Sequence, residues 1–574
     1  MIQKDDVLLK RGGEWLHFAN PRLVVSATIS GEVRNALREV ERLVNANNWH
    51  AAGFVGYEAA PAFDDALRVL SAGDFPLLWF GLYSEPRILK PCEVFRDVGC
   101  LTALNWQANV ERENYNAAIE KIKEAIAQGK TYQVNYTMRL NANFNGNVYD
   151  FFQSLAQSPN QYAAYIDIGR YAICSFSPEL FFELDGENIV SRPMKGTASR
   201  GRTQREDAAQ AEWLRRSIKN RAENVMIADM VRNDLGRIAE IGSVRAPELF
   251  AIEKYPSLFQ MTSTVQAKTR ASLDEIFTAL FPCASITGAP KVSAMKIIAE
   301  VETSPRKIYT GSVGFISPRR KAQFNVAIRT ALIDRENQTA EYGVGGGIVW
   351  DSVSADEYDE ALLKARALTA HPQEFSLIET LLWTSQDGYF LREKHIERMK
   401  DSAEYFDFEF SKEKLAAQLY KVALHFNFPQ RVRVLLNKAG EATVACKAVV
   451  AFARPFKVRL AEKPVNSNDV FLFHKTTRRE MYPSVQGCDD VLLYNERNEL
   501  TEFTIGNLVV EMDGELFTPP ISCGLLAGTF RAHLMETGQV KERGVYKSDL
   551  GKCAKIFLVN SVRKWVEVVM QEKP

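Results

Sequence analysis

The feature that most constrains this chain is a switch of hydrophobic period at Gly129. Between 111 and 129, Tyr115, Ile119, Ile122 and Ile126 fall on one helical face, and Gly129 ends the run. From Tyr132 the period becomes two: Tyr132, Val134, Tyr136, Met138 and Leu140 alternate with Gln133, Asn135, Thr137 and Arg139. A helix running into a two-faced strand specifies a mixed α+β protein. The polar side of that strand has two readings, a solvated face or Gln133 and Asn135 aimed together at something polar. Upstream, Arg22–Val25 and Leu77–Phe80 read as strands, and Gly53–Glu58 as a buried one.

With 574 residues the chain holds three or four average domains or two large ones, and 46% hydrophobic residues suffice for sizeable cores. His371-Pro372-Gln373 breaks the pattern and divides the chain into 1–370 and 375–574. Lys plus Arg and Asp plus Glu both number 71, so nothing draws the chain to nucleic acid or an anionic membrane. Eight cysteines without a C-x-x-C pair read as reduced thiols of a cytoplasmic protein. The N-terminus has no apolar signal region, and no apolar run approaches the roughly 20 residues of a membrane span.

Several stretches carry chemistry. In Ser191-Arg-Pro-Met-Lys-Gly-Thr197, Lys195 stands between a rigid proline and a permissive glycine, as a placed amine or a solvated strand-end lysine. Glu179, beside the apolar Leu180-Phe-Phe182, is a partly desolvated acid suited to proton transfer, or a strand-end turn residue. Ile286-Thr-Gly-Ala-Pro-Lys291 opens a helix whose free N–H groups suit an anion or are simply capped. Gly343-Val-Gly-Gly-Gly347 invites close approach to backbone but has the wrong spacing for a dinucleotide fingerprint. Ser354-x-x-Glu357 reads as a capping box. Glu357, Glu360 and Lys364 share one helical face, either as surface pairs or as carboxylates for a hard cation beside an ammonium for a substrate anion.

Taken in order, residues 110–368 resemble the chorismate-utilising family. The matching stretches include Tyr132-Gln-Val-Asn135, Ser177-Pro-Glu179, Arg192-Pro-Met-Lys-Gly-Thr197, Glu223-Asn224, Asp229-x-x-Arg-Asn-Asp-Leu-Gly236, Ser285-Ile-Thr-Gly-Ala-Pro-Lys291, Ile328-Arg-Thr330 and Gly343–Ile348. Lysine rather than alanine at 195 is similar to aminodeoxychorismate synthases rather than anthranilate synthases. The resemblance implies an anthranilate-synthase-like two-sheet domain with helices. It implies Lys195 as nucleophile at C2 of chorismate, Glu179 as general acid and base, and Mg²⁺ on Glu223, Glu357 and Glu360. Thr287, Tyr309, Arg329, Gly345, Gly346 and Lys364 are then expected to bind substrate. Gln260 stands where many relatives carry histidine, which argues against anthranilate as product. No G-x-C-x-G motif is present, so ammonia is expected from a glutamine amidotransferase partner or from free ammonium.

From 375 a second pattern begins: a strand at Phe375–Thr380, a helix carrying His395-Ile-Glu-Arg398-Met399, a strand at Arg431–Leu436, Lys475 after an apolar run, Leu500-Thr-Glu502, Asn507, and Gly524–Arg531 turning into a helix. In order these resemble fold-type IV pyridoxal-phosphate enzymes of two α/β subdomains, and among them 4-amino-4-deoxychorismate lyase. The resemblance implies that Lys475 forms the Schiff base, Glu502 pairs with the pyridine nitrogen, Arg398, Thr529 and Ser561 take the phosphate, and Asn507 supports the site. By analogy a homodimer through this part is expected. The expected function is a bifunctional enzyme making p-aminobenzoate and pyruvate from chorismate, in folate biosynthesis. The alternative is the same synthase fused to a branched-chain or D-amino-acid-type transaminase.

Overall fold

The computed structural model describes residues 2–95, 104–156, 162–365, 374–449 and 455–571; the expected break at 371–373 lies outside them. The chain forms two compact units. The first comprises Met1–Ala198 and Trp213–Pro372, and the second Ser199–Glu212 and Gln373–Pro574.

The first unit is built on two ten-stranded sheets. Alternate residues of both sheets, among them Val7, Leu9, Phe54, Trp79, Ile166, Val313 and Phe315, form the core between them. The outer face of each sheet is covered by helices. The helix Ser30–Asn47 buries Val33, Leu37, Val40 and Val44 against one sheet, a spacing that keeps them on one side. The helix Arg112–Ala127 buries Tyr115, Ala118, Ile119, Ile122 and Ala125 against the other. Burying each such Val, Leu or Ile side chain contributes about 1.5–3 kcal/mol.

The strand after Gly129 runs Gln133–Asn143, and Tyr132 lies just outside it, 69% exposed. Its polar side is not solvated: Gln133, Asn135, Thr137 and Arg139 are all buried. The strand pairs with Gly288–Ala289 on one side and Thr339–Ile348 on the other. Beneath its polar face Glu302 accepts from Thr137, Arg139 and Arg306, so buried polar groups are satisfied by one another. Residues 53–58 divide between the strand His50–Val55 and a short 3₁₀ helix, Tyr57–Ala62.

In the second unit a four-stranded sheet packs on the helices Arg392–Phe406 and Lys412–Ala423, through Leu377, Leu381, Ile396, Met399, Ala403, Val432 and Val434. An eight-stranded sheet forms the other part, and the helix Thr529–Glu536 packs against Val509 and Val559. These are the two α/β subdomains expected. Ser199–Glu212 is tied into this unit: the Tyr405 hydroxyl donates to the Gly201 carbonyl (2.6 Å), and His474 Nε2 lies 3.1 Å from the Arg202 carbonyl. The seven described cysteines are free, and no helix among the described residues is long and apolar enough to cross a membrane.

Candidate active sites

Lys195 lies on Met194–Ser199, an outer strand of one sheet of the first unit. A Cβ built on Gly347, in the other sheet, would sit 2.6 Å from Lys195 Nζ and 2.5 Å from Gln133 Nε2. Amine, amide and bare backbone therefore share one space, which any side chain at 347 would fill. Both polar atoms of the Gln133 amide are buried without a partner, and the Lys195 amine has no hydrogen bond among the described residues. Gly196 adopts φ +94°, a left-handed conformation that glycine takes without strain, and this sets the lysine against Asn220 and Asn224. Asn224 Nδ2 donates to the Lys195 and Met261 carbonyls (3.1 and 3.2 Å). Gln260, in the position expected to depart from relatives, donates to the Gly196 carbonyl (2.9 Å). Burial and the Lys364 ammonium lower the pKa of Lys195, against the opposing pull of Glu223, Glu179 and Glu360.

Glu179 is 2% exposed, and Ser285 Oγ donates to its Oε1 (2.6 Å). Burial pushes its pKa up to about 7, against the pull of Ser285 and Lys195, so it can hold or give a proton near neutrality. Ser285 is a site residue that no single-residue signal marked. It arrives on the turn before Gly288, far from Glu179 in sequence.

The remaining expected residues divide. Lys364 Nζ donates to the Gly345 carbonyl (2.9 Å) and pairs with Glu360 (2.8 Å). A Cβ on Gly346 would lie 3.2 Å from Glu357 Oε2 and 3.6 Å from Lys364 Nζ, so Gly346 faces these two charged groups. Gly345 instead faces the neighbouring strand, where a Cβ would strike the Tyr136 carbonyl. Arg329 is held at φ +49°, uncommon for a residue with a side chain, and its guanidinium lies 5.8 Å from the Tyr255 ring centre. The Tyr309 ring packs over Gly343. Thr287 differs from expectation. It is fully buried, its hydroxyl donates to the Cys283 carbonyl (3.1 Å), and its carbonyl accepts from Asn135 N–H (2.7 Å), so its side chain braces the turn.

Glu223, Glu357 and Glu360 are not gathered into a ready ligand set: among the described residues no group of three acidic, histidine or cysteine side chains could hold a metal ion. Ser352, rather than Ser354, supplies the hydroxyl that reaches Glu357 (2.7 Å). Burial raises the pKa of Glu357, and the nearby Glu360 charge adds to this. Glu360 is shifted the other way: burial acts to raise it, but Lys364, with Lys195 and Lys219, outweighs burial. Mg²⁺ is ordinarily held by one or two carboxylates with waters and substrate oxygens, and the Glu357–Glu360 pair meets that lesser requirement.

In the second unit Lys475 follows His474, whose Nδ1 meets Ser402 Oγ (2.9 Å). Burial lowers His474 to about 4, so it is a neutral anchor with its proton on the nitrogen facing the Arg202 carbonyl. The Lys475 amine has no hydrogen bond among the described residues. Burial, then Arg398, lowers its pKa to about 8. Arg398 Nε and NH2 donate to Glu379 (both 2.8 Å), and NH1 to the Ala527 carbonyl (3.0 Å). Burial favours the neutral acid at Glu379, but the charges and hydrogen bonds of Arg398 and His395 together prevail and hold it well below the usual carboxylate range. His395 bridges Glu379 (2.6 Å) and Thr529 Oγ1 (3.2 Å). Glu379 and His395 are therefore parts of the site that the sequence reading left out. Ser561 Oγ donates to the Thr380 carbonyl (3.2 Å). Glu502 is 3% exposed, accepts from Asn507 Nδ2 (3.3 Å), and is pushed by burial up to about 8.

These residues fit pyridoxal phosphate. A buried amine without a partner, a buried carboxyl held by the Asn507 amide and the Tyr482 hydroxyl, and an arginine with N–H groups to spare beside the start of the Thr529–Glu536 helix match its aldehyde, ring nitrogen and phosphate.

Residues 100–370 match the chorismate binding enzyme family and residues 376–570 the amino-transferase class IV family. Among individual relatives, aminodeoxychorismate synthase component 1 of Bacillus subtilis is 40% identical over 281 residues, 48% of this chain and 59% of that protein. Anthranilate synthase component 1 of Aquifex aeolicus is 39% identical over 267 residues, 46% of this chain and 54% of that protein. The chain thus spans less than two thirds of the length of these relatives. Anthranilate synthase component I from Streptococcus pneumoniae shares the fold of the first unit, with TM-score 0.56 and 22% identity over 64% of this chain and 93% of its own.

Proposed function

We propose that the chain converts chorismate and ammonia to 4-amino-4-deoxychorismate in its first unit, and that compound to p-aminobenzoate and pyruvate in its second, for folate synthesis. The observation that carries the first half is the unpartnered Lys195 amine facing Gln133 and bare backbone at Gly347, within electrostatic reach of Glu179. In this reading Lys195 Nζ bonds to C2 as the C4 hydroxyl leaves as water with a proton from Glu179. Ammonia then bonds to C4, the C2–N bond breaks, and Lys195 is released; chorismate plus ammonia gives aminodeoxychorismate plus water. Glu357 and Glu360, together with waters and substrate oxygens, would hold Mg²⁺, which would supply charge that eases loss of the hydroxyl. Arg329 and Lys364 offer cations to the two substrate carboxylates. A separate glutamine amidotransferase delivers the ammonia, a reading drawn from the component 1 relatives.

In the second unit pyridoxal phosphate supplies an electron sink, with Glu502 opposite its ring nitrogen and Arg398, Thr529 and Ser561 at its phosphate. Lys475 takes the proton from the ring carbon bearing the amine and returns one to the departing three-carbon fragment. A second reading, a transaminase in 375–574, draws on the class IV family match. The purified chain, given chorismate, ammonium, Mg²⁺ and pyridoxal phosphate, is expected to yield p-aminobenzoate and pyruvate in equal amounts on chromatography. Aminodeoxychorismate alone would favour the transaminase; anthranilate would overturn the role given to Lys195.

A further inference from the structure

We propose that Tyr482 is a positioning residue that favours the Glu502 anion and aims it, so that protonation of the cofactor's ring nitrogen is set jointly by Glu502, Tyr482 and Arg479. The inference rests on the reading of this unit as a pyridoxal-phosphate site.

Glu502 is deeply buried, and burial alone drives a carboxyl towards its neutral form. A neutral Glu502 would keep the proton that the ring nitrogen needs. The structure opposes this with a donor on each oxygen: the Tyr482 hydroxyl on Oε1 (2.9 Å) and Asn507 Nδ2 on Oε2 (3.3 Å). Asn507 is itself oriented by the Leu526 carbonyl (2.8 Å), so the pair fixes the carboxylate plane as well as its charge. Donors to a carboxylate favour the charged form. Tyr482 remains a donor across the working range, because burial and the facing Glu502 charge hold its pKa well above the ordinary value.

Arg479 completes the arrangement. Its guanidinium lies 4.2 Å from the Tyr482 ring centre and donates to the Thr504 carbonyl, and Tyr482 N–H closes a turn onto the Arg479 carbonyl (3.0 Å). The arginine thus holds the ring in place and also favours the Glu502 anion through space. The other charged groups that bear on the pair are Lys475, which favours the Glu502 anion, and Asp469, which faces Tyr482.

The test uses the full chain loaded with pyridoxal phosphate carrying ¹⁵N in its ring. In Tyr482→Phe the aromatic ring stays under Arg479 and only the hydroxyl is lost. The ring ¹⁵N resonance is expected to move towards the unprotonated position, and conversion of aminodeoxychorismate to fall about tenfold. Arg479→Gln is expected to move the resonance in the same direction by less. Loaded with the analogue whose ring nitrogen is replaced by C–H, wild type and Tyr482→Phe should turn over at equal rates. An unmoved ¹⁵N resonance, or the same tenfold fall with the analogue, overturns the inference. A wild-type chain that takes up no pyridoxal phosphate overturns the site reading itself, and this inference with it.

Discussion

Lys195 and Lys475 are both amines whose pKa is lowered by burial, yet the charges around them are balanced differently. Around Lys195 the influences opposing its loss of a proton are the carboxylates Glu223, Glu179 and Glu360, while the Lys364 cation works with burial. Around Lys475 the cations Arg398 and Arg479 work with burial, against Glu502 and Glu379, the latter paired with Arg398. The first field suits a step that must give a proton to a leaving hydroxyl and hold a hard cation. The second suits a group that must stay neutral beside a phosphate dianion. The same residue type is thus set to two tasks by the charges on neighbouring strands and helices.

Exchanging the two roles is the sharpest way to break this comparison. Lys475→Ala should lower p-aminobenzoate formation by at least the 10²–10⁴-fold typical of a lost proton-transfer group, while aminodeoxychorismate accumulates. Lys195→Ala should cut amination at C4 comparably and leave conversion of added aminodeoxychorismate intact. Chromatography of products from each variant separates the two, and a variant that lost both activities would deny the independence of the two fields.

The next contrast is between two buried carboxylates. Glu302 lies between Arg139 and Arg306 under the first site, and Glu379 between Arg398 and His395 in the second. Glu302→Gln leaves two fully buried guanidinium groups uncompensated and should destabilise the first unit by about 3–5 kcal/mol, read by denaturant unfolding. Glu379→Gln should weaken pyridoxal phosphate binding about tenfold or more, measured by cofactor titration, because Arg398 loses its orienting partner. The pKa of Glu379 is depressed by Arg398. Its stabilising contribution is therefore present above the ordinary carboxylate pKa of about 4.3 and is lost as pH falls below that. Acid should release cofactor sooner from wild type than neutral pH does.

Glu179 behaves in the opposite sense. Its pKa is raised to about 7, so the acid form exists below that value and is lost above it; C4 amination should fall as pH rises through about 7. Ser285→Ala removes a donor to the charged form, so the fall should move to higher pH, with only a few-fold change in rate at its best pH. A fall that moved to lower pH would show that Ser285 does not act on Glu179.

How far the sequence spoke for these sites differs by region. The period change at Gly129 predicted both the helix Arg112–Ala127 and the strand Gln133–Asn143. It could not say that the polar side was buried, because that depends on Glu302 and Arg306 arriving from beyond residue 300. Lys195 and Glu179 stood out as candidates beside constrained or apolar neighbours, while Lys475 and Glu502 took their expected roles from the family resemblance. Ser285, Glu379, His395 and Tyr482 were not legible, since each acquires meaning only through a hydrogen bond closed between separate elements. Thr287 was expected to bind substrate from the family resemblance alone; in the structure its hydroxyl donates within the turn.

The most direct test of the account is a mass measurement. The full chain is incubated with chorismate and Mg²⁺ but no ammonium, quenched in denaturant and digested. The account predicts a peptide containing Lys195 heavier by one chorismate less one water, absent from Lys195→Ala and discharged by added ammonium. Full-rate amination by Lys195→Ala, with no such peptide in wild type, would contradict it.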